Sequence, residues 1–211
     1  MTALAEHADT VPLVDQHVHG CWLDGGDRAR FENGLNEANT APLADFDSAF
    51  DSQLGFAVRA HCAPLLGLPR YAEPQDYWDR RSSFAEPDLA RLLLPAAGVT
   101  DWLVDTGLGP RVADVATVAD LSGDRAWEVV RLEEVAEQAA QAAGDYADAF
   151  RDILHARLRH AVAAKSILAY RGGFDGDLSA PAAADVAAAA AAWRDRGGRR
   201  LTDRTLLRFG L

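Results

Sequence analysis

Apolar and polar positions along this chain of 211 residues follow two periods, one of about two and one of about 3.6. A short apolar run over 11–14 leads into Asp15-Gln16-His17-Val18-His19-Gly20 and reads as a buried strand ending at Gly20. Gly25-Gly26 and Asn33-Gly34 mark the polar stretch that follows as a loop. Helical spacing returns from about residue 44 and dominates 53–68, where Leu54, Val58, Leu65 and Leu66 supply the apolar positions. Tyr77 and Trp78 lie in a second amphipathic stretch. Pro87 suits the first turn of a helix over 88–97, and Gly98 suits its C-terminal stop. Residues 99–105 (VTDWLVD) read as a second strand, closed by Thr106-Gly107. Residues 128–132 read as a third strand running straight into an Ala- and Glu-rich helix over 133–143, which Gly144 separates from a further helix over 146–160. A fourth strand is predicted over 162–170, broken by Arg171-Gly172-Gly173. Pro181 then starts a helix over 182–196 whose alanine run suits a packed helix better than a linker, and a short helix covers 203–209.

Strands that alternate with helices predict βαβ units and a parallel sheet with helices outside it, so the fold class is α/β. Four strands suit either a small open sheet or part of a (β/α)₈ barrel. No internal repeat of fixed period is present, and the length favours a single domain over 1–211. Nearly half of the residues are apolar, enough to bury a core, which excludes disorder for the chain as a whole.

The formal net charge of −11 argues against a nucleic-acid or anionic-membrane surface, since both need a positive field. No stretch approaches the roughly 20 apolar residues of a membrane span. Residues 1–10 carry Glu6 and Asp9 without Lys or Arg, unlike the basic start of a signal peptide. Two cysteines, Cys21 and Cys62, are too few for a disulfide framework. A cytoplasmic location is therefore expected.

His17 and His19 are two residues apart on a predicted strand, which places both imidazoles on one face at the end where parallel sheets present their sites. Neutral imidazole is a common ligand for Zn, Fe, Ni or Mn; the plainer alternative is a pair of histidines packing or hydrogen-bonding at a strand end. Of the 21 basic side chains 20 are Arg, and Lys165 is the single Lys. Its amine can lose a proton and react, which a guanidinium effectively cannot, although one Lys can also survive by chance. Arg131 lies on the third predicted strand with Glu133 two residues on, so the two share a face if the strand extends that far. Its guanidinium either clamps a substrate carboxylate or pairs with Glu133 or Asp105 beneath the site, and the pairing is preferred. Tyr170 and Arg171 close the fourth predicted strand and are candidates for the same mouth.

Other patterns are weaker. His155 and His160 are five apart on a helix, roughly 140° around it, and do not converge. His61 beside Cys62 sits in an apolar helix, where core packing accounts for it. Gly107-Leu108-Gly109-Pro110 lacks the third glycine of a dinucleotide loop, and Asp175-Gly176-Asp177 is too short for a calcium loop.

Leu13-Val14-Asp15-Gln16-His17-Val18-His19-Gly20 resembles the first-strand signature of the amidohydrolase superfamily. Lys165-Ser166-Ile167-Leu168-Ala169-Tyr170-Arg171-Gly172-Gly173 and Val130-Arg131-Leu132-Glu133 are similar to later segments of the branch found alone or fused to glutamine-synthetase-like domains. The resemblance implies a (β/α)₈ TIM-barrel metal-dependent hydrolase, here reduced to about its first four βα units. It implies hydrolysis of a C–N bond by a metal-activated water, or decarboxylation as in some members. His17 and His19 would be metal ligands, and Lys165 a bridging ligand that some subfamilies carbamylate. The metal would be zinc, with manganese or iron as alternatives, and the substrate a small molecule. Further ligands and the water-activating Asp of the family have no matching position, and a complete barrel takes about 250 residues. The expected partner is therefore a complementary C-terminal half or a second copy, and the competing expectation is a catalytically inactive half-barrel that binds another chain.

Overall fold

The computed structural model describes residues 11–36 and 48–211. Four strands, β1 (Leu13–Val18), β2 (Val99–Asp105), β3 (Arg125–Arg131) and β4 (Ala161–Lys165), hydrogen-bond in that order as one parallel sheet. Between β1 and β2 lie α1 (Arg28–Gly34), α2 (Gln53–Leu65), α3 (Pro74–Ser82) and α4 (Glu86–Leu93). One helix, α5 (Val115–Ser122), connects β2 to β3, and α6 (Leu132–Gln141) and α7 (Tyr146–Leu158) connect β3 to β4. After β4 come α8 (Leu168–Arg171), α9 (Ala183–Asp195) and α10 (Arg204–Phe209). The fold is mixed α/β, with strands that are neighbours in sequence also neighbours in the sheet.

Alternation along the strands sorts side chains to two faces. Trp102 and Val104 of β2 pack with Val118 and Leu121 of α5, while Val130 of β3 packs with Val135 and Ala136 of α6 and Phe150 of α7. Asp101, Leu103 and Asp105 of β2, with Arg125, Trp127, Val129 and Arg131 of β3, therefore occupy the face without helices. Leu13 and Val14 on β1 and Val162 on β4, the two outer strands, are exposed. A separate core of Phe50, Ala63, Leu66, Tyr77 and Leu89 gathers α2, α3 and α4.

Several boundaries differ from the sequence expectations. β1 stops at Val18, so His17 is in the strand and His19 follows it. The residues read as a polar loop contain α1, whose N-cap Asp27 accepts from Arg30 N at 2.8 Å. The unassigned stretch after β2 contains α5, which Asp114 caps in the same way through Thr117 N. Both helices are short, and their caps rather than long apolar periods announce them. β3 starts earlier than expected, at Arg125, and α6 begins at Leu132, so Glu133 belongs to the first turn of a helix and does not share a strand face with Arg131. β4 ends at Lys165, and Tyr170 and Arg171 lie on α8 instead of closing that strand. The helix expected over 53–68 stops at Leu65, just past Pro64. The helical spacing at 44–47 and the acidic residues of 1–10 fall outside the described residues. Among the described residues no helix is long and apolar enough to cross a membrane.

Candidate metal centre

The C-terminal ends of the four strands bring four chemistry-bearing side chains around one carboxylate. Asp105 ends β2 and is fully buried. From two β-strand positions further along β3, Arg131 donates to it through Nε (3.1 Å to Oδ1) and Nη2 (2.6 Å to Oδ2), a bidentate fork. Lys165 Nζ, at the end of β4, lies 2.9 Å from Asp105 Oδ2. Gly107 N donates to Oδ1 at 3.0 Å, and His19 Nδ1 stands 3.4 Å from both Oδ2 and the Asp105 carbonyl oxygen. His17 completes the group: Lys165 Nζ is 3.5 Å from its Nδ1 and 3.4 Å from its Nε2, and its ring meets that of His19 edge-on at 4.8 Å. Near-equal distances to both nitrogens mean that the ammonium meets neither one head-on.

Local sequence explains how the group closes. Arg131 Nη1 also donates to Gly107 O at 2.9 Å, and a Cβ on Gly107 would collide with the guanidinium, so only glycine lets the β2 loop lie flat against Arg131. Gly20, with φ of 80°, turns the chain just after His19, and a Cβ there would collide with the Ala113 carbonyl. Glycines at these two positions bring the loops after β1 and β2 close to the site.

Electrostatics fixes the protonation states. Burial alone would raise the Asp105 pKa, but hydrogen bonds from Arg131, Lys165 and Gly107 N outweigh it and hold the carboxyl at about 2. Burial, with help from the neighbouring His17 and Lys165, lowers His19 below its ordinary value in spite of Asp105. Asp105 is thus charged and His19 neutral, the state in which imidazole ligates a metal.

Of the residues singled out in the sequence, His17, His19, Lys165 and Arg131 converge. Arg131 pairs with Asp105 and is buried, so it is not free to clamp a substrate carboxylate. Glu133 is buried beneath, accepting from Ser166 Oγ at 2.6 Å and Ile167 N at 3.0 Å. Arg171 turns away to Glu137 Oε1 and the Leu201 carbonyl oxygen, and Tyr170 is 82% exposed on α8. Asp105, at the centre of the cluster, is the residue the sequence reading undervalued, as it entered only as one partner for Arg131. Its signal was a charged residue ending an apolar strand just before Gly107.

The donor set fits part of a metal site. Two imidazoles close together, one of them held neutral, suit a divalent cation, and the Lys165 amine lies beside them and the carboxylate. Among the described residues no group of three or more His, Cys, Asp or Glu could hold a metal ion.

No family model matches the chain, and no curated protein matches it. A solved structure does: the crystal structure of a "putative metal-dependent hydrolase" from Lactobacillus casei ATCC 334 aligns with a TM-score of 0.65 and 23% identity, over 99% of this chain and 55% of that one. The likeness shows a shared fold, and this chain spans about half the length of the structure it matches.

Proposed function

We propose that the chain is the first half of a (β/α)₈ metal-dependent hydrolase of the amidohydrolase type, acting on a C–N bond of a small molecule. The observation that carries this reading is the convergence of His17, His19 and Lys165 on the buried Asp105 at the C-terminal edge of a parallel sheet. The likeness in fold to the "putative metal-dependent hydrolase" of Lactobacillus casei supports it. In this reading His17 and His19 hold the metal, zinc with manganese or iron as alternatives, and Lys165 is the bridging candidate. The metal, when bound, supplies Lewis acidity and activates water. Asp105 keeps Lys165 and His19 in place, and Arg131 keeps Asp105 ionised. The remaining donors come from a complementary half that pairs with the outer edges of β1 and β4, where Leu13, Val14 and Val162 are exposed. Turnover by this chain alone is not expected.

Metal content measured after purification in zinc or manganese tests the reading, with the chain alone and with a co-expressed downstream half. Stoichiometric metal that disappears in the His17→Ala/His19→Ala variant supports it. A folded wild-type chain that takes up no metal in either setting removes it. The second reading, a catalytically inactive half-barrel that docks on another chain, is favoured by the shortage of donors and by those exposed edge residues. A tight complex that forms without metal would support it.

A further inference from the structure

We infer that Glu133 is a positioning residue that sets the aim of Lys165 by tying together the ends of β3 and β4. Arg131 and Lys165 lie directly opposite each other at the last paired position of these strands. Glu133 stands two residues beyond Arg131, in the first turn of α6, and only 3% of it is exposed. Its Oε1 accepts from Ser166 Oγ at 2.6 Å and from Ile167 N at 3.0 Å, the two residues that follow Lys165. Ser166 Oγ accepts in turn from Leu168 N at 3.0 Å, which starts α8. One buried carboxylate oxygen thus fixes the turn that carries Lys165 out of the sheet, relative to the strand end that carries Arg131. The other oxygen, Oε2, is buried with no hydrogen-bond partner among the described residues.

A buried carboxylate with one unsatisfied oxygen is costly, and a neutral side chain of similar size would fill the space more cheaply. Its two donors both belong to the turn after Lys165, so what the carboxylate secures there is the course of that turn. With the turn fixed, Lys165 Nζ reaches Asp105 Oδ2 on one side and His17 on the other. Among the described residues Glu133 makes no hydrogen bond to Asp105 or to the imidazoles, and it acts on the site through Lys165. The inference rests on the proposed site only in taking Lys165 as its working amine.

Because Lys165 is the single Lys, its amine can be followed on its own. Labelling with acetic anhydride at fixed pH, read by peptide mass spectrometry, reports how firmly Asp105 holds it, and the α-amine is resolved on a separate peptide. Glu133→Ala should label Lys165 about tenfold faster than wild type, as expected when a charge-assisted contact is loosened. Glu133→Gln keeps an oxygen that accepts from Ser166 and Ile167, and should return the rate to near wild type. An unchanged rate in folded Glu133→Ala, or a Glu133→Gln rate as fast as that of Glu133→Ala, overturns the inference. If Glu133→Ala does not fold by circular dichroism, Ser166→Ala decides: faster labelling supports the inference and an unchanged rate overturns it. A wild-type chain that binds no metal but shows this labelling pattern counts against the metal reading alone.

Discussion

The helix-free face of the sheet carries the same pairing twice, an aspartate of β2 held by an arginine of β3, once at each end. At the N-terminal end Arg125 sits directly opposite Asp101 and grips it with Nε (2.8 Å) and Nη2 (2.7 Å), while Trp127 Nε1 donates at 2.9 Å and Thr100 Oγ1 at 3.1 Å. At the C-terminal end Arg131 grips Asp105 from a diagonal position, and Lys165 and His19 crowd in as well. Both carboxyls are held at about 2, at Asp101 chiefly by the hydrogen bond from Arg125 and at Asp105 by bonds that overcome burial. The two ends differ in exposure and in charge balance. The Arg125 side chain is 68% exposed and matches Asp101 one for one. Asp105 is wholly buried and faces a guanidinium, an amine and an imidazole, so it has basic partners beyond the single Arg that Asp101 has. A balanced exposed pair is a fastening, whereas a buried carboxylate with a surplus amine and two histidines is the arrangement on which the proposed function rests.

The sharpest way to break this comparison is to remove each charge in turn. Asp105→Asn leaves a guanidinium and an ammonium sharing a buried amide and should cost about 3–5 kcal/mol in urea unfolding, whereas Asp101→Asn, at an exposed pair, should shift the midpoint little. Equal losses at the two positions would erase the distinction. Next in size, Gly107→Ala forces a methyl group against the Arg131 guanidinium and should cost about 1–3 kcal/mol, measured in the same way.

Acid titration sharpens the contrast further. A carboxyl whose pKa is depressed by folding contributes stability that is fully present above its unfolded value, about 3.9, and that is lost as the pH falls toward 2. Wild-type stability should therefore drop between about pH 4 and pH 2, and Asp105→Asn should flatten that drop more than Asp101→Asn does, since solvent screens the exposed pair. The smallest effect is expected at Tyr170→Ala, which should leave both metal content and melting temperature unchanged, because the side chain is exposed on α8 and away from the strand end.

Much of the frame could be read from local pattern. The bounds of β2 match the apolar run before Thr106, Gly98 ends the segment before it, and the helices around Tyr146 and Ala183 follow their periodicity. Where the reading slipped, a local rule competed with a longer-range one. Val-Arg-Leu-Glu can continue a strand or start a helix, and packing of Val135 and Ala136 against the sheet selects the helix from Leu132. Lys-Ser-Ile-Leu is equally open to both, and the bonds from Ser166 and Ile167 to Glu133 end the strand at Lys165.

The chain by itself determined the alternation of strands and helices, the pair of imidazoles at the end of the first strand and the solitary amine at the end of the fourth, because periodicity and residue type are local properties. Only the tertiary structure decided that Arg131 joins Asp105, 26 residues away, in place of the nearby Glu133, and that Lys165 meets His17 across 148 residues of sequence. Those choices depend on which strands lie side by side and how far each extends. Sheet pairing fixes both, and no stretch of sequence short enough to be read locally contains them.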